Sequence, residues 1–363
     1  MEILGPNIMR MAIDIALVLS AMSLLVLAVI VGVRLRAQAE SRREAILRRE
    51  AEPLVTAFLA GREKPGIAVA ALQKDPPHAL LLLMEISDRL APEARDQLRP
   101  LFASLPMREK ETAALQSRHW EHRLHAAERL GYLGDGESET ALLGALQDPV
   151  LSVRFAAARS LARHGEPRTI PQIVLAFDSP GEMNQRRVAE TLYDFGPAAT
   201  NQLQTILRNV DGTYSDNAVG AAARVLGILR VPEAVEPLKG LLRHSDFRAR
   251  LNAARALGMI GNHGSADDVA DLAVDPAWEV RNAAMQALGR MKAERHIEKL
   301  TAALRDNAWW VRYSSAQALW QLGTAGRQAL DAAMTGDADR YARDMSRQIL
   351  EEHGALVARE AQI

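Results

Sequence analysis

The chain has 363 residues, of which 48% are hydrophobic, 4% aromatic and 25% charged, and its formal net charge is -1. It contains no cysteine, which excludes a disulfide framework and a thiolate metal site. A near-neutral charge provides no bulk attraction for nucleic acid, so we expect no nucleic-acid partner.

The first predicted element, after a short N-terminal segment at residues 1–10, is a transmembrane helix at residues 11–33. Residues 15–33 carry no charge, and at ~1.5 Å per residue this run spans about the ~30 Å of a hydrocarbon core. A cleaved signal peptide is the alternative, because residues 37–39 (Ala-Gln-Ala) fit a cleavage site. The apolar run is longer than a usual signal core, and Arg34 and Arg36 intervene, so we favour a membrane anchor.

The flank that follows the anchor is basic. Because Arg10 is the only arginine on the other flank, the positive-inside rule predicts a single-pass protein of the cell inner membrane, with its N-terminus outside and the rest in the cytoplasm. Residues 34–52 contain no Gly or Pro and predict a juxtamembrane helix. The arginines of this flank either contact anionic lipid head groups or only set the topology: Arg34, Arg36, Arg42, Arg43, Arg48 and Arg49.

Residues 53–116 contain further helical patterns that do not fit the repeat described next. They are either diverged repeats or an N-terminal cap of the helical stack.

Across residues 117–353 the phrase Arg-x-x-Ala-Ala-x-x-Leu-Gly recurs with a period of 31 residues, lengthened once to 34. We call the first position of each copy the marker. A fixed period of this length predicts one helical hairpin per copy, stacked on its neighbours. The markers are Arg123, Arg154, Gln185, Val219, Arg250, Arg281, Arg312 and Arg343.

Three details of the repeat predict local structure. An Asp six residues before the marker is expected to cap the second helix of the hairpin. Since Gln185 and Val219 replace the marker arginine, any ladder of Asp–Arg pairs is expected to break there. Each copy has a leucine seven residues after the marker. The glycine that follows this leucine in some copies is expected to end the helix in a left-handed conformation; these glycines are Gly131, Gly227, Gly258 and Gly289.

This pattern resembles the short HEAT-like repeats of the phycobilin lyase group and of bacterial scaffold proteins, and residues 275–289 (DPAWEVRNAAMQALG) match nearly every position. The resemblance implies an all-α fold: a right-handed α-solenoid of HEAT-like helical hairpins, here preceded by one transmembrane helix. It does not fix the function, because enzymes, scaffolds and adaptors share such repeats.

Catalytic motifs are missing from the sequence. There is no Gly-x-Ser-x-Gly elbow, no phosphate loop and no His-Glu-x-x-His helix. The histidines at 119, 122 and 125 fan around a helix rather than converge on one ion. We therefore expect no catalytic residue, cofactor or metal. The alternative of a different class is an enzyme or ligand-binding solenoid, lyase-like or DNA-glycosylase-like.

Aromatic residues mark a first candidate surface. Trp120, Phe247, Trp278 and Trp309 all lie three residues before a marker and are predicted to be core. Trp310 instead occupies a position that is polar in most other copies, Tyr313 follows one helical turn later, and Trp320 replaces the usual glycine. An exposed aromatic cluster predicts a protein-binding hot spot, and packing against the last repeat is the alternative.

The position five residues after the marker is a second candidate, because it is polar in every copy. Its mixed charges fit a protein better than a phosphate backbone, and a solvated face without a partner is the alternative. The row reads Glu128, Arg159, Glu190, Arg224, Arg255, Gln286, Gln317 and Gln348.

These observations together predict a non-catalytic, membrane-anchored scaffold. Its cytoplasmic repeats, followed by a tail at residues 354–363, are expected to bind a protein partner that is itself an integral membrane protein. A polytopic envelope enzyme, such as a polysaccharide glycosyltransferase, is one such partner. The anchor would raise the effective concentration of the repeats near it.

Overall fold

The computed structural model describes residues 6–134, 136–177, 182–209 and 212–360. Over these residues the chain is built from helices and has no β-strand, as the sequence predicts. They fall into two compact units, one within residues 1–114 with 132–134 and the other within 115–131 with 135–363. The predicted segments 1–10 and 354–363 lie partly outside the described residues.

The first unit begins with α1 (Pro6–Leu59), one continuous helix that covers both the predicted anchor and the predicted juxtamembrane helix. Among the described residues, it is the one helix that is long and apolar enough to cross a membrane. Its most apolar stretch has a mean hydropathy of 2.8, and none of that stretch is buried in the protein.

The far end of α1 is part of a small helical core. Leu47, Ala51 and Val55 are buried, and this end of α1 packs against α2 and α3. Several of the short helices begin with proline, whose fixed φ suits the first turn. The helices are α2 (Pro65–Leu72), α3 (Pro76–Arg89), α4 (Pro92–Arg95), α5 (Arg99–Ala103) and α6 (Arg108–Ala114).

The repeats form helical hairpins. The second helix of each hairpin carries the marker, and these are α7 (Trp120–Leu133), α9 (Leu151–His164), α11 (Glu182–Tyr193), α13 (Asp216–Ile228), α15 (Phe247–Ile260), α17 (Trp278–Arg290), α19 (Trp309–Gln321) and α21 (Arg340–Glu360). The first helices are α8 (Gly136–Ala145), α10 (Ile170–Ala176), α12 (Thr200–Arg208), α14 (Val235–Leu241), α16 (Ala266–Ala270), α18 (Ile297–Ala303) and α20 (Thr324–Gly336).

Second helices pack directly on one another, and the leucine seven residues after the marker fills the space beneath them. This leucine has 0% exposure in every copy from Leu130 to Leu319. Leu350 of the last copy is half-buried, and Arg347 and Glu351 beside it are exposed. The last hairpin therefore has the polar outer face of a terminal repeat.

The glycines after these leucines do not end their helices, so that prediction is wrong. They lie within the helices and allow close approach: a Cβ on Gly258 would stand 2.7 Å from Cα of Ala287, and one on Gly227 2.6 Å from Cα of Ala256. The left-handed residue comes eleven positions after the marker instead. It is Gly134, Gly165, Gly196, Arg230, Gly261, Lys292 and Gly323.

Candidate protein-binding surface

An arginine ladder sets the orientation of the second helices. The guanidinium of Arg281 donates from Nε and Nη2 to the two carboxylate oxygens of Asp306 in the next repeat, at 2.7 and 2.8 Å. Its Nη1 donates to the backbone carbonyl of Asp275, six residues earlier, at 2.8 Å. Such bidentate, charge-assisted pairs fix geometry as well as contributing energy. The pairs Arg123–Asp148 and Arg250–Asp275 repeat this arrangement.

The aspartates also act differently from the prediction. Asp275 accepts a hydrogen bond from the N–H of Ala277 at 2.9 Å, and Asp306 accepts one from Ala308 at 2.8 Å. Ala277 and Ala308 directly precede their helices, so each aspartate closes the turn before the helix and does not cap its first N–H groups.

The ladder is interrupted at Val219, as predicted, because the valine side chain has no hydrogen-bond donor. The side chain of Gln185 lies outside the described residues. Arg154 is affected as well. The sequence has serine where its acceptor aspartate would stand, and its buried Nε has no hydrogen-bond partner.

In α17 and α19 one side of the second helix is exposed or half-buried, whereas Phe155 of α9 and Gly220 of α13, on the same side, are buried. Residues three before, one after and five after the marker are spaced four apart, so they share a side of the helix. In α19 their contacts demonstrate this. Trp309 and Tyr313 stack with ring centroids 5.0 Å apart, and Gln317 Nε2 donates to the Tyr313 hydroxyl at 3.1 Å. We call the surface formed by these positions in successive repeats the second-helix face.

The aromatic residues three before the marker are not core, contrary to the prediction. Trp120 is 41%, Trp278 39% and Trp309 42% exposed, and Phe247 is half-buried. Each is the first residue of its helix. Val280 and Val311, two residues later in the same first turn, have 0% exposure, so Trp278 and Trp309 lie on the opposite side of their helices.

Trp310 lies on the surface, with 55% of its side chain exposed. Its ring meets Trp309 edge-on at 4.7 Å and Tyr313 at 6.5 Å between centroids. Sequence reasoning missed Trp309 as a member of this cluster. Its place at the first helical position is the signal that would have found it.

Trp320, by contrast, packs against the last repeat. It stacks on His353 of α21, with centroids 4.8 Å apart, and the guanidinium of Arg327 lies 5.3 Å from its ring. His353 Nε2 is 2.9 Å from Gln317 Oε1. His353 and Gln317 thus connect Trp320 to the cluster of Trp309, Trp310 and Tyr313.

The polar row five residues after the marker belongs to the same second-helix face. Arg159, Glu190 and Gln348 are exposed, and the remaining members are half-buried. Glu190 pairs with Arg186 at 3.2 Å, and Gln286 donates to the Ser314 hydroxyl at 3.1 Å. Of the predicted aromatic surface, Tyr313 lies on this face, one helical turn or about 6 Å along α19 from Gln317 of the polar row.

The flank arginines do not form one group. Arg48 is half-buried next to the helical core at the far end of α1. It pairs with Glu85 of α3, and its hydrogen bond holds the pKa of that carboxyl below its usual range. The other five flank arginines are exposed. Arg34 and Arg36 come directly after the apolar run. Arg49 lies about 24 Å along α1 from Val33, the last residue of that run.

No group of His, Cys, Asp or Glu among the described residues is arranged to hold a metal ion. The surface offers aromatic rings, amides and charged groups, which is the chemistry of protein recognition.

The profile of the HEAT repeats family matches residues 110–192, 203–289 and 271–351. The chain belongs to this family. No curated protein matched the sequence of this HEAT-repeat protein.

Solved structures similar to it include three of different function. The complex of CpcE and CpcF of phycocyanin lyase from Nostoc is 20% identical with a TM-score of 0.32, covering 68% of this chain and 94% of that one. Human deoxyhypusine hydroxylase is 17% identical with a TM-score of 0.31, covering 67% and 96%. The karyopherin Kap121p bound to the SUMO protease Ulp1p is 13% identical with a TM-score of 0.47, covering 86% and 41%.

Proposed function

We propose that this HEAT-repeat protein is a non-catalytic scaffold that binds another protein through the C-terminal part of its second-helix face. The observation that carries the proposal is the cluster of exposed Trp309 and Trp310 with half-buried Tyr313. Contiguous exposed aromatic rings are rare on surfaces without a partner, and tryptophan and tyrosine dominate binding energy at protein interfaces.

The proposal extends to location. The apolar part of α1 spans a membrane, and the repeats lie on the side of its basic flank, in the cytoplasm. A scaffold held there meets membrane-embedded partners at raised effective concentration. The partner class we propose is an integral membrane protein, for example a polytopic envelope enzyme such as a polysaccharide glycosyltransferase.

Capture of partners from detergent-solubilised membranes tests the binding surface. Trp310→Ala should lower partner affinity by about 2 kcal/mol, as the loss of a central aromatic anchor does, and leave the melting temperature nearly unchanged because the ring is exposed. Trp120→Ala is the matched control, since Trp120 is a comparably exposed tryptophan at the start of α7. Undiminished capture by Trp310→Ala would refute the proposed surface.

A reporter fused after Ile363 tests the location. A cytoplasm-dependent reporter should be active. Activity of a periplasm-dependent reporter at that site would instead support the cleaved signal peptide.

A further inference from the structure

The second-helix face changes character along the repeats. In the earlier repeats its rows carry charges, including Glu128, Arg159, Glu190, Arg224 and Arg255. In α17 and α19 the same rows carry none. The six residues there are aromatic or amide: Trp278, Asn282, Gln286, Trp309, Tyr313 and Gln317. A partner that lies on α17 and α19 gains nothing from charge, so this part of the surface selects an uncharged segment.

The spacing of two aromatic rings on this part of the face follows from helix packing. Trp278 and Trp309, both exposed, begin two successive second helices. A Cβ on Gly289 would stand 2.9 Å from Cα of Ala318, so α17 and α19 are close. Since packed helices lie ~8 to 10 Å apart, the two rings are expected about 9 Å apart.

That interval matches one type of backbone. A polyproline II segment advances ~3.1 Å per residue with three residues per turn, so every third side chain recurs after ~9.3 Å. A β-strand repeats its side chains after ~6.7 Å. In an α-helix, side chains on one face recur after ~5.4 Å, so only every second turn of the helix would meet a ring.

The chemistry of the rings fits the same backbone. Proline-rich segments dock on grooves lined by aromatic residues, and their rigid conformation loses little entropy on binding. Their carbonyls have no internal hydrogen bonds, and the indole N–H groups of Trp278, Trp309 and Trp310, all exposed, are donors only.

Resting on the proposed function, we infer that the partner presents an uncharged, proline-rich segment that crosses α17 and α19 in the polyproline II conformation. Residues of that segment that are three apart pack against the rings of Trp278 and Trp309. The stacking of Trp309 on Tyr313 and the hydrogen bonds of Gln317 hold the ring on α19 in place for it.

The test is a titration of the full chain in detergent with the synthetic peptide (Ala-Pro-Pro)4, followed by tryptophan fluorescence. Saturable binding is expected. Trp278→Ala and Trp309→Ala should each weaken it about tenfold, whereas Trp120→Ala should leave it unchanged. A peptide of equal length made of Gly and Ser should not bind.

The inference is overturned by the absence of saturation with the proline peptide, by an equal loss of binding in Trp120→Ala, or by saturation with a neutral oligosaccharide in place of the peptide. The scaffold function and the proline-rich partner segment can be refuted independently.

If partner capture depends on Trp310 but the peptide does not bind, the scaffold function is supported and the proline-rich segment is refuted. Peptide binding that survives Trp278→Ala and Trp309→Ala removes it as well.

Discussion

Asp337 accepts its side-chain hydrogen bonds from Arg305, with three N–O distances between 2.9 and 3.1 Å. In the regular rungs of the ladder the donor is the marker arginine of the preceding repeat, which here is Arg312. Arg312 donates to the carbonyls of Asp306 and Asn307, and its guanidinium lies 4.9 Å from the ring of Tyr341. Its buried Nε has no partner. Two arginines therefore compete for one carboxylate.

This competition predicts that Arg305 is replaceable. In Arg305→Ala, Arg312 should take over Asp337 in the geometry of the regular rungs, so the melting temperature should fall little. Arg281→Ala has no such substitute and leaves Asp306 largely buried and unpaired, at a cost of about 3 kcal/mol. The double variant Arg305→Ala/Arg312→Ala should lose far more stability than Arg305→Ala alone. Equal losses for Arg305→Ala and Arg281→Ala would show that no exchange takes place.

The ladder also predicts a pH dependence. The hydrogen bond from Arg123 lowers the pKa of Asp148. Burial raises the pKa of Asp306, but the hydrogen bonds from Arg281 and Ala308 outweigh burial, so the pKa of Asp306 is lowered as well. A carboxylate whose pKa is lower in the folded protein than in the unfolded chain stabilises the fold at a pH above the unfolded-chain pKa, about 3.9. This stabilisation is lost as the pH falls toward the pKa of the folded protein.

Asp148→Asn should therefore be less stable than the wild type at pH 7 but lose less stability between pH 5 and pH 2. Chemical denaturation at both pH values measures this. An identical acid loss in the two proteins would contradict the role assigned to Asp148.

Close approach of the second helices predicts opposite effects for two glycines. A Cβ on Gly258 would overlap Cα of Ala287, whereas one on Gly240 in α14 meets nothing within 4 Å. Gly258→Ala should force α15 and α17 apart and cost about 1 to 3 kcal/mol. Gly240→Ala should stabilise by up to about 1 kcal/mol, since alanine is the better helix former. Thermal unfolding of the two variants decides this, and a neutral Gly258→Ala would mean that the helices are not in backbone contact.

The left-handed position predicts a stabilising substitution. Lys292 adopts a φ of 48° where the equivalent Gly261 has 77°, and this region is strained for residues with a side chain. Lys292→Gly should raise stability by up to about 1 kcal/mol, and Gly261→Ala should lower it by a similar amount. A lower melting temperature for Lys292→Gly would show that the Lys292 side chain stabilises the fold by more than its left-handed backbone destabilises it.

Periodicity in the sequence was enough to predict the hairpins, the leucine core and the break in the ladder, because these depend on spacing alone. It failed where a residue's role depends on what covers it. Trp278 stands at a position that is aromatic in several copies, yet it lies on the side of its helix opposite the buried Val280 and is 39% exposed. Position 258 requires glycine because a side chain there would overlap Ala287 of the next second helix, and not because the backbone of Gly258 is left-handed. Arg48 has its partner on another helix, 37 residues away, and no periodic pattern connects the two.

α1 runs without a break from the apolar span into the helical core of the first unit. About 21 Å of exposed helix separates Val33 from Leu47, the first buried residue after it. No hinge is needed to pass a movement along it: a rotation of the span about its axis turns the first unit by the same angle. Inserting one residue into this stretch would rotate the unit by about 100° and raise it by about 1.5 Å, whereas seven residues would raise it about 10 Å and nearly restore its direction.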